Sequence, residues 1–426
     1  MLNCSHCDMQ YARWQGRCNE CGKWGTIEEE QTIAFAAGSQ KTKSKGGASL
    51  APIVDLASAS AEPAKHTLTN ISELDRVLSG GVVSGSVTLL AGEPGIGKST
   101  LVAQIASEFN SPYYVSGEES QGQVVMRLKR LNIKPDNISF SNAIEVGSII
   151  ASAEKLKPSL LIIDSIQTMI ASEIDNLPGT PTAVRAATAQ LIGFAKSSNI
   201  PVLLIGQVTK DGIVAGPKTL EHLVDTVLTI EGDPESQYRI LRASKNRFGS
   251  TDEVGIFEMT ELGMIPVENP SARFIEERSN NPGSVITCLM EGTRPILVEV
   301  QALAEKSLFS NPIRRTSGYD AGRLQMLIAI INKRTDVKVA GHDVYVNVVG
   351  GIKIKEHAAD LAVCAAIMSS VKDKALPKDT IVFGELGLGG EIRSVPFIDK
   401  RANEAERLGF KNKITPKTVQ SIKNLL

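Results

Sequence analysis

The run Gly92-Glu93-Pro94-Gly95-Ile96-Gly97-Lys98-Ser99-Thr100 carries the most specific chemistry in the chain. Glycines at its first and sixth positions let backbone N–H groups turn toward a polyphosphate at a helix N-terminus. Lys98 is expected to reach the β- and γ-phosphates, and the Ser99 hydroxyl to ligate Mg²⁺. The apolar SVTLLAG before the run and STLVAQIASEF after it read as the strand and helix such a loop needs. The expected ligand is ATP with Mg²⁺.

Three later strand ends add groups that act on a phosphate. LLIIDS closes an apolar run on Asp164, a carboxylate suited to holding Mg²⁺ directly or through water. Its simpler reading is a helix N-cap. PYYVSGEES places Glu118 and Glu119 just past another strand, and one of them is expected to polarise the attacking water. Adjacent glutamates also occur as a plain charge pair at a helix start. LLIGQV carries Gln207 at its end, an amide placed to sense the γ-phosphate and pass the signal into TKDGIVAGPK, or else a polar residue facing solvent.

A second constellation opens the chain. Cys4-x2-Cys7 and Cys18-x2-Cys21 are two turns, each offering a pair of thiolates, and Zn²⁺ takes four such ligands tetrahedrally. Four protein ligands close the site, so its expected role is structural or partner-contacting, and metal binding would fold a segment with little core. Two disulfides are the alternative. They are disfavoured because MLNCSHC has no basic start and apolar stretch of a secretory signal. His6 reads as a solvated turn residue.

The bulk numbers set the frame for these motifs. A chain of 426 residues exceeds one typical domain. No apolar run reaches the roughly 18–20 residues of a membrane span, so a cytoplasmic protein is expected. The net charge of −1 gives no global attraction for nucleic acid, and 4% aromatics disfavours a base-stacking face, so any DNA contact must come from local patches. Composition divides the chain into a cysteine module over 1–30, a Ser/Ala/Gly/Lys-rich linker over 31–65, an ATPase domain over 66–270 and a further domain over 275–426. Strands are expected at 86–92, 112–117, 159–165, 200–208 and 226–232, alternating with helices in the manner of a mostly parallel sheet.

Taken with the cysteine module, the motifs GEPGIGKST, YVSGEES, LLIIDSIQT, GQVTKDG, LEHLVDTVL and Lys245-Asn246-Arg247-Phe248-Gly249 resemble the RadA (Sms) branch of the RecA-like ATPases over essentially the whole chain. The resemblance implies an α/β fold: a RecA-like P-loop core, a small N-terminal zinc ribbon and an α+β Lon-protease-like C-terminal domain. It also implies DNA-stimulated ATP hydrolysis, translocation on single-stranded DNA and branch migration of recombination intermediates. The implied partners are branched DNA, a RecA-type recombinase and other copies of the chain in a hexameric ring. On its own chemistry the pair Lys245 and Arg247, at the end of the strand YRILRAS, fits a cation reaching a neighbouring subunit's γ-phosphate, a grip on DNA phosphates, or an exposed basic turn.

DNA contacts are expected from two loops and one basic stretch. The segment 176–191 after the Asp164 strand offers Arg185, and the loop after Gln207 offers Lys210 and Lys218. Between residues 306 and 338 there are seven Lys/Arg, Arg314 and Arg315 among them, against two Asp. Such a surplus supplies phosphate contacts or a merely solvated helix face. The stretch VYVNVVGGIKIKEHAADLAV with FGELGLGGEIRSVP resembles a Lon-type peptidase, but Ala358 stands where the serine nucleophile would be and Lys400 has no serine to activate. Proteolysis is therefore not expected. The rival readings are a regulatory ATPase of the KaiC kind, an ATP-dependent Lon-like protease, and an ATPase scaffold whose zinc module docks the active partner.

Overall fold

The structure is a computed structural model describing residues 2–4, 10–11, 15–19, 22–25, 27–29, 65–172, 177–207, 220–232, 237–276, 278, 280–308 and 310–425. Cys7, Cys21, Lys210, Lys218 and almost all of the expected linker lie outside them. The chain forms two compact units, one of Met1–Ile230, Ala243–Thr251 and Glu261–Met264, the other of Glu231–Arg242, Asp252–Thr260 and Ile265–Leu426.

In the first unit six strands run parallel. They are β1 (Val87–Gly92), β2 (Pro112–Ser116), β3 (Ser139–Ser141), β4 (Leu160–Asp164), β5 (Val202–Gln207) and β6 (Thr226–Glu231), ordered β6-β1-β5-β4-β2-β3. Five match the expected strands to within two residues; Ser139–Ser141, short and polar, had no apolar run to announce it. Leu89, Leu90, Leu161, Ile163 and Leu204 are fully buried, as a parallel sheet covered on both faces requires. The helices α1 (Lys98–Glu108), α2 (Gln121–Arg130), α3 (Val146–Leu156) and α4 (Pro181–Ser198) alternate with the strands. The connection from β4 to β5 thus passes through a long helix, and the loop expected over 176–191 ends at Thr180. The Thr180 hydroxyl accepts the Ala183 N–H at 3.4 Å and Pro181 starts the helix, so Arg185 is a half-buried helical residue and not a loop cation.

The cysteine-rich start holds a three-stranded antiparallel sheet in which Leu2–Cys4 lies between Gln10–Tyr11 and Ile27–Glu29. Its second turn is closed by the Cys18 N–H to Lys23 O (2.8 Å) and the Gly22 N–H to Cys18 O (2.9 Å), with Gly22 at φ 71°.

The second unit is built on a six-stranded mixed sheet. Its order is Arg314–Ser317, His342–Val348, Arg294–Lys306, Ser284–Glu291, Thr380–Val382, Asn412–Ile414. The helices Ala321–Arg334 and Asp360–Val371 share its main apolar core, and the latter is buried nearly all round, as a helix of LAVCAAIMSS must be. Among the described residues of this unit, two charged side chains have no exposure at all. Arg401, fully buried, donates to Glu356 and to the carbonyls of Cys288 and Pro396; Asp360, also fully buried, accepts from Arg323 and from the Tyr319 hydroxyl at 2.6 Å. Removing one partner of a buried pair leaves the other charge uncompensated. Glu356→Gln is expected to lower stability by about 3–5 kcal/mol, read as a shifted urea midpoint; an unchanged midpoint would show the pair to be dispensable.

Candidate nucleotide site

The phosphate loop joins β1 to α1. Gly95 and Gly97 take φ of 76° and 115°, values that a side chain disfavours. Gly97 precedes the helix without any side-chain cap, so the first N–H groups of α1 have no side chain competing for them. These features fit a polyphosphate. Lys98 is 7% exposed, and its Nζ donates to the carbonyls of Gly92 (2.8 Å) and Glu93 (2.9 Å). Burial pulls its pKa below the usual lysine value, while the charges of Asp164 and Glu118 push it back up. Ser99 follows in the first helical turn.

The other expected groups come from strand ends at the same edge of the sheet. Asp164 ends β4 and is 5% exposed; its Oδ2 accepts the Tyr114 hydroxyl at 2.7 Å. Burial raises its pKa first of all, against the Tyr114 hydrogen bond that lowers it; Glu119 and Glu118 raise it further and Arg127 lowers it. A carboxylate and a serine hydroxyl are hard oxygen donors of the kind Mg²⁺ takes. The residue after Asp164 is a serine in a cis peptide, and its hydroxyl donates to Glu118.

The paired glutamates part company. Glu118 accepts from Ser165 Oγ and, on both oxygens at 3.2 Å, from Gln207 Nε2 at the end of β5. Glu119 is turned to Arg127 on α2, which ion-pairs with it, while its N–H donates to Ser116 Oγ at 3.0 Å. The turn is held in this form from outside. Asn142 Nδ2 donates to the carbonyls of Ser116 (3.1 Å) and Glu119 (2.7 Å), and a Cβ on Gly117 would come within 2.2 Å of Thr168 Oγ1. Lys98, Asp164, Glu118 and Gln207 therefore belong to one cluster, and Glu119 borders it.

Lys245 and Arg247 lie elsewhere in this unit. Lys245 Nζ donates to the carbonyls of Glu221 (2.6 Å) and Val224 (2.8 Å), and Arg247 Nη1 pairs with Asp225 Oδ1 at 3.0 Å. Asp225 in turn accepts the N–H of Val87, the first residue of β1, at 3.0 Å. The phosphate loop leaves the other end of that strand, five residues or about 16–17 Å away. The basic pair thus sits at the opposite sheet edge from its own chain's phosphate loop. Gly249 packs so closely that a Cβ would meet Ser79 Oγ at 2.1 Å, which accounts for the glycine of the KNRFG run.

In the second unit, Ala358 is 2% exposed and packs with Ile286, Leu297 and Phe383, whereas Lys400 is exposed with its ammonium 5.3 Å from the Phe397 ring centre. Arg314 is half-buried and Arg315 exposed on the edge strand Arg314–Ser317. At the chain's start Cys4 and Cys18, one thiol from each pair, are both fully buried, which fits an enclosed zinc.

Sequence reading missed Tyr114, Ser165, Arg127 and Asp225. The first reads as strand core, the second as part of a strand end, and the other two are separated from their partners by 8 and 22 residues, so no spacing rule links them.

Family models match three segments of the chain: ATPase of the KaiC type over residues 67–271, the rubredoxin metal binding domain over 3–29, and subunit ChlI of Mg-chelatase over 323–419. The chain is 44% identical to the DNA repair protein RadA of Aquifex aeolicus, over 98% of this chain and 93% of that one. It is 42% identical to that of Escherichia coli and 43% to that of Bacillus subtilis, in each case over 97% of this chain and 91% of the relative. Among solved structures, a RadB recombinase is similar at 24% identity and a TM-score of 0.38, covering 47% of this chain and 99% of that one. No helix among the described residues is long and apolar enough to cross a membrane.

Proposed function

The chain belongs to the RadA family of DNA repair proteins and is an ATP-hydrolysing enzyme with a RecA-like core; from that premise we propose that it couples hydrolysis to translocation on single-stranded DNA and so drives branch migration of recombination intermediates. The observation that carries this reading is the Gln207–Glu118 hydrogen bond. Gln207 is the last residue of β5, immediately before the segment holding Lys210 and Lys218, so DNA gripped there bears directly on the glutamate whose charge acts on Lys98.

In this reading Lys98 holds the β- and γ-phosphates of ATP, and Ser99 and Asp164 hold Mg²⁺, which would neutralise charge between the phosphate oxygens. Glu118 is the base that polarises water, and Glu119 is its support. Lys245 and Arg247 serve the nucleotide of a neighbouring copy, which their position at the far sheet edge favours, and a ring, a hexamer in the family reading, follows from that. Lys210, Lys218, Arg314 and Arg315 contact DNA phosphates; Arg185, half-buried in α4, keeps at most a marginal part. The cysteine module is a zinc ribbon bound by Cys4, Cys7, Cys18 and Cys21, and the domain boundaries are those read from composition. A RecA-type recombinase is the expected protein partner.

Steady-state hydrolysis with and without single-stranded DNA, alongside a branch-migration assay on a four-stranded junction, tests the proposal. DNA is expected to raise turnover and ATP to be required for junction movement. Turnover indifferent to DNA would favour a regulatory ATPase, and degradation of casein would favour a protease.

A further inference from the structure

We propose that Tyr114 is a positioning residue for Asp164: its phenol selects which carboxylate oxygen is offered to a divalent cation beside the nucleotide, and so sets how tightly that cation is held. The inference deepens the site above and rests on Asp164 being its metal-side carboxylate.

Three observations carry it. Tyr114 lies within β2 and is 1% exposed, yet its hydroxyl ends on Asp164 Oδ2 at 2.7 Å. Among the described residues this is the only hydrogen bond the Asp164 carboxylate makes; Oδ1 takes none. The ring itself has no freedom to follow the carboxylate. Tyr114 is paired with Ile162 on β4 and with Phe140 on β3, and its ring stacks on that of Phe140 at 6.3 Å between centres.

A carboxylate torsion is broad and two-fold, so an aspartate with no fixed donor presents either oxygen, over a range of angles. A donor fixed by the sheet removes that freedom: Oδ2 is engaged, and Oδ1 is left for the cation or its water. Packing alone does not call for the hydroxyl, since phenylalanine fills the same space. A buried phenol needs a polar partner, and here the partner is the one carboxylate at the end of the adjacent strand. Outer-shell partners that orient a ligand commonly change metal affinity by about 10–100-fold when removed.

The test uses the full-length protein saturated with a non-hydrolysable ATP analogue and Mn²⁺ as the probe, its binding followed by electron paramagnetic resonance. Tyr114→Phe is expected to weaken Mn²⁺ binding about tenfold, with nucleotide affinity in excess chelator unchanged. Asp164→Asn is expected to weaken it more, and the double variant to match Asp164→Asn alone. Unchanged Mn²⁺ affinity in Tyr114→Phe, or a double variant that adds the full tyrosine loss to the aspartate loss, overturns the positioning role. Normal Mn²⁺ binding by Asp164→Asn overturns instead the reading of Asp164 on which it rests. Should the phenylalanine variant not fold, fluorotyrosine at position 114 replaces it. Its fluorine resonance is expected to move when Mg²⁺ joins the bound nucleotide, and a resonance blind to Mg²⁺ refutes the proposal.

Discussion

Mixing Lys98→Ala chains with Arg247→Ala chains is expected to restore ATP hydrolysis that neither variant has alone. Lys98→Ala removes the ammonium that donates to the carbonyls of Gly92 and Glu93, and loss of one preorganised cation at a transferring phosphoryl group costs about 10²–10³ in turnover. Arg247→Ala leaves the loop untouched, because Arg247 pairs with Asp225 at the other end of β1. Nucleotide binding is therefore expected to survive in it. Turnover is expected to fall by about 10³ or more, the scale of a cation supplied across an interface. In a head-to-tail ring an intact loop from an Arg247→Ala chain meets an intact arginine from a Lys98→Ala chain at about a quarter of the interfaces of an equal random mixture. Hydrolysis should return to about that fraction. A mixture as inactive as its components would place Arg247 in service of its own chain's nucleotide, against the geometry, or of DNA alone.

Glu118→Gln and Glu119→Gln are expected to part by orders of magnitude, although the residues are adjacent and alike. Glu118 shares hydrogen bonds with Ser165 and Gln207, and its charge bears on Lys98. Replacing a general base of this kind costs about 10²–10⁴ in the chemical step. Single-turnover hydrolysis of bound ATP should show that loss with nucleotide affinity little changed. Glu119 is committed to Arg127, so its amide should cost about 1–3 kcal/mol of stability through an imperfectly paired guanidinium and less than about tenfold in turnover. Equal losses in the two variants would mean that the Arg127 pair opens during the cycle and that both carboxylates serve the water.

The phosphate loop, the five long strands and the cysteine module were legible because each rests on local rules. A glycine-rich turn between an apolar strand and a helix, or two cysteines separated by two residues, announces itself in a few consecutive positions. The same holds for the negative finding at Ala358, since a methyl group cannot attack a carbonyl wherever the fold puts it. Ala358 itself is buried among Ile286, Leu297 and Phe383, and Lys400 is exposed.

Other features depend on partners that the sequence keeps far apart. The difference between Glu118 and Glu119 is set by Gln207, 89 residues away from the first, and by Arg127 on the helix after the second. The identical side chains acquire different partners only when β2 and β5 are aligned and α2 turns its arginine back. Arg185, expected on a loop, was taken into a helix because the hydroxyl of Thr180 and the ring of Pro181 start one there. Tyr114 reads in the sequence as one more apolar strand residue; the parallel pairing of β2 with β4 turns its hydroxyl into a ligand of Asp164. By itself, then, the sequence determined the groups available, a glycine-rich phosphate loop, carboxylates at strand ends and a cysteine module, because residue type and short spacing suffice for that. Tertiary structure alone decided which glutamate joins Gln207 and Ser165 and which pairs with Arg127, and at which edge of the sheet the Lys245–Arg247 pair lies, because both depend on strand order and register across long separations.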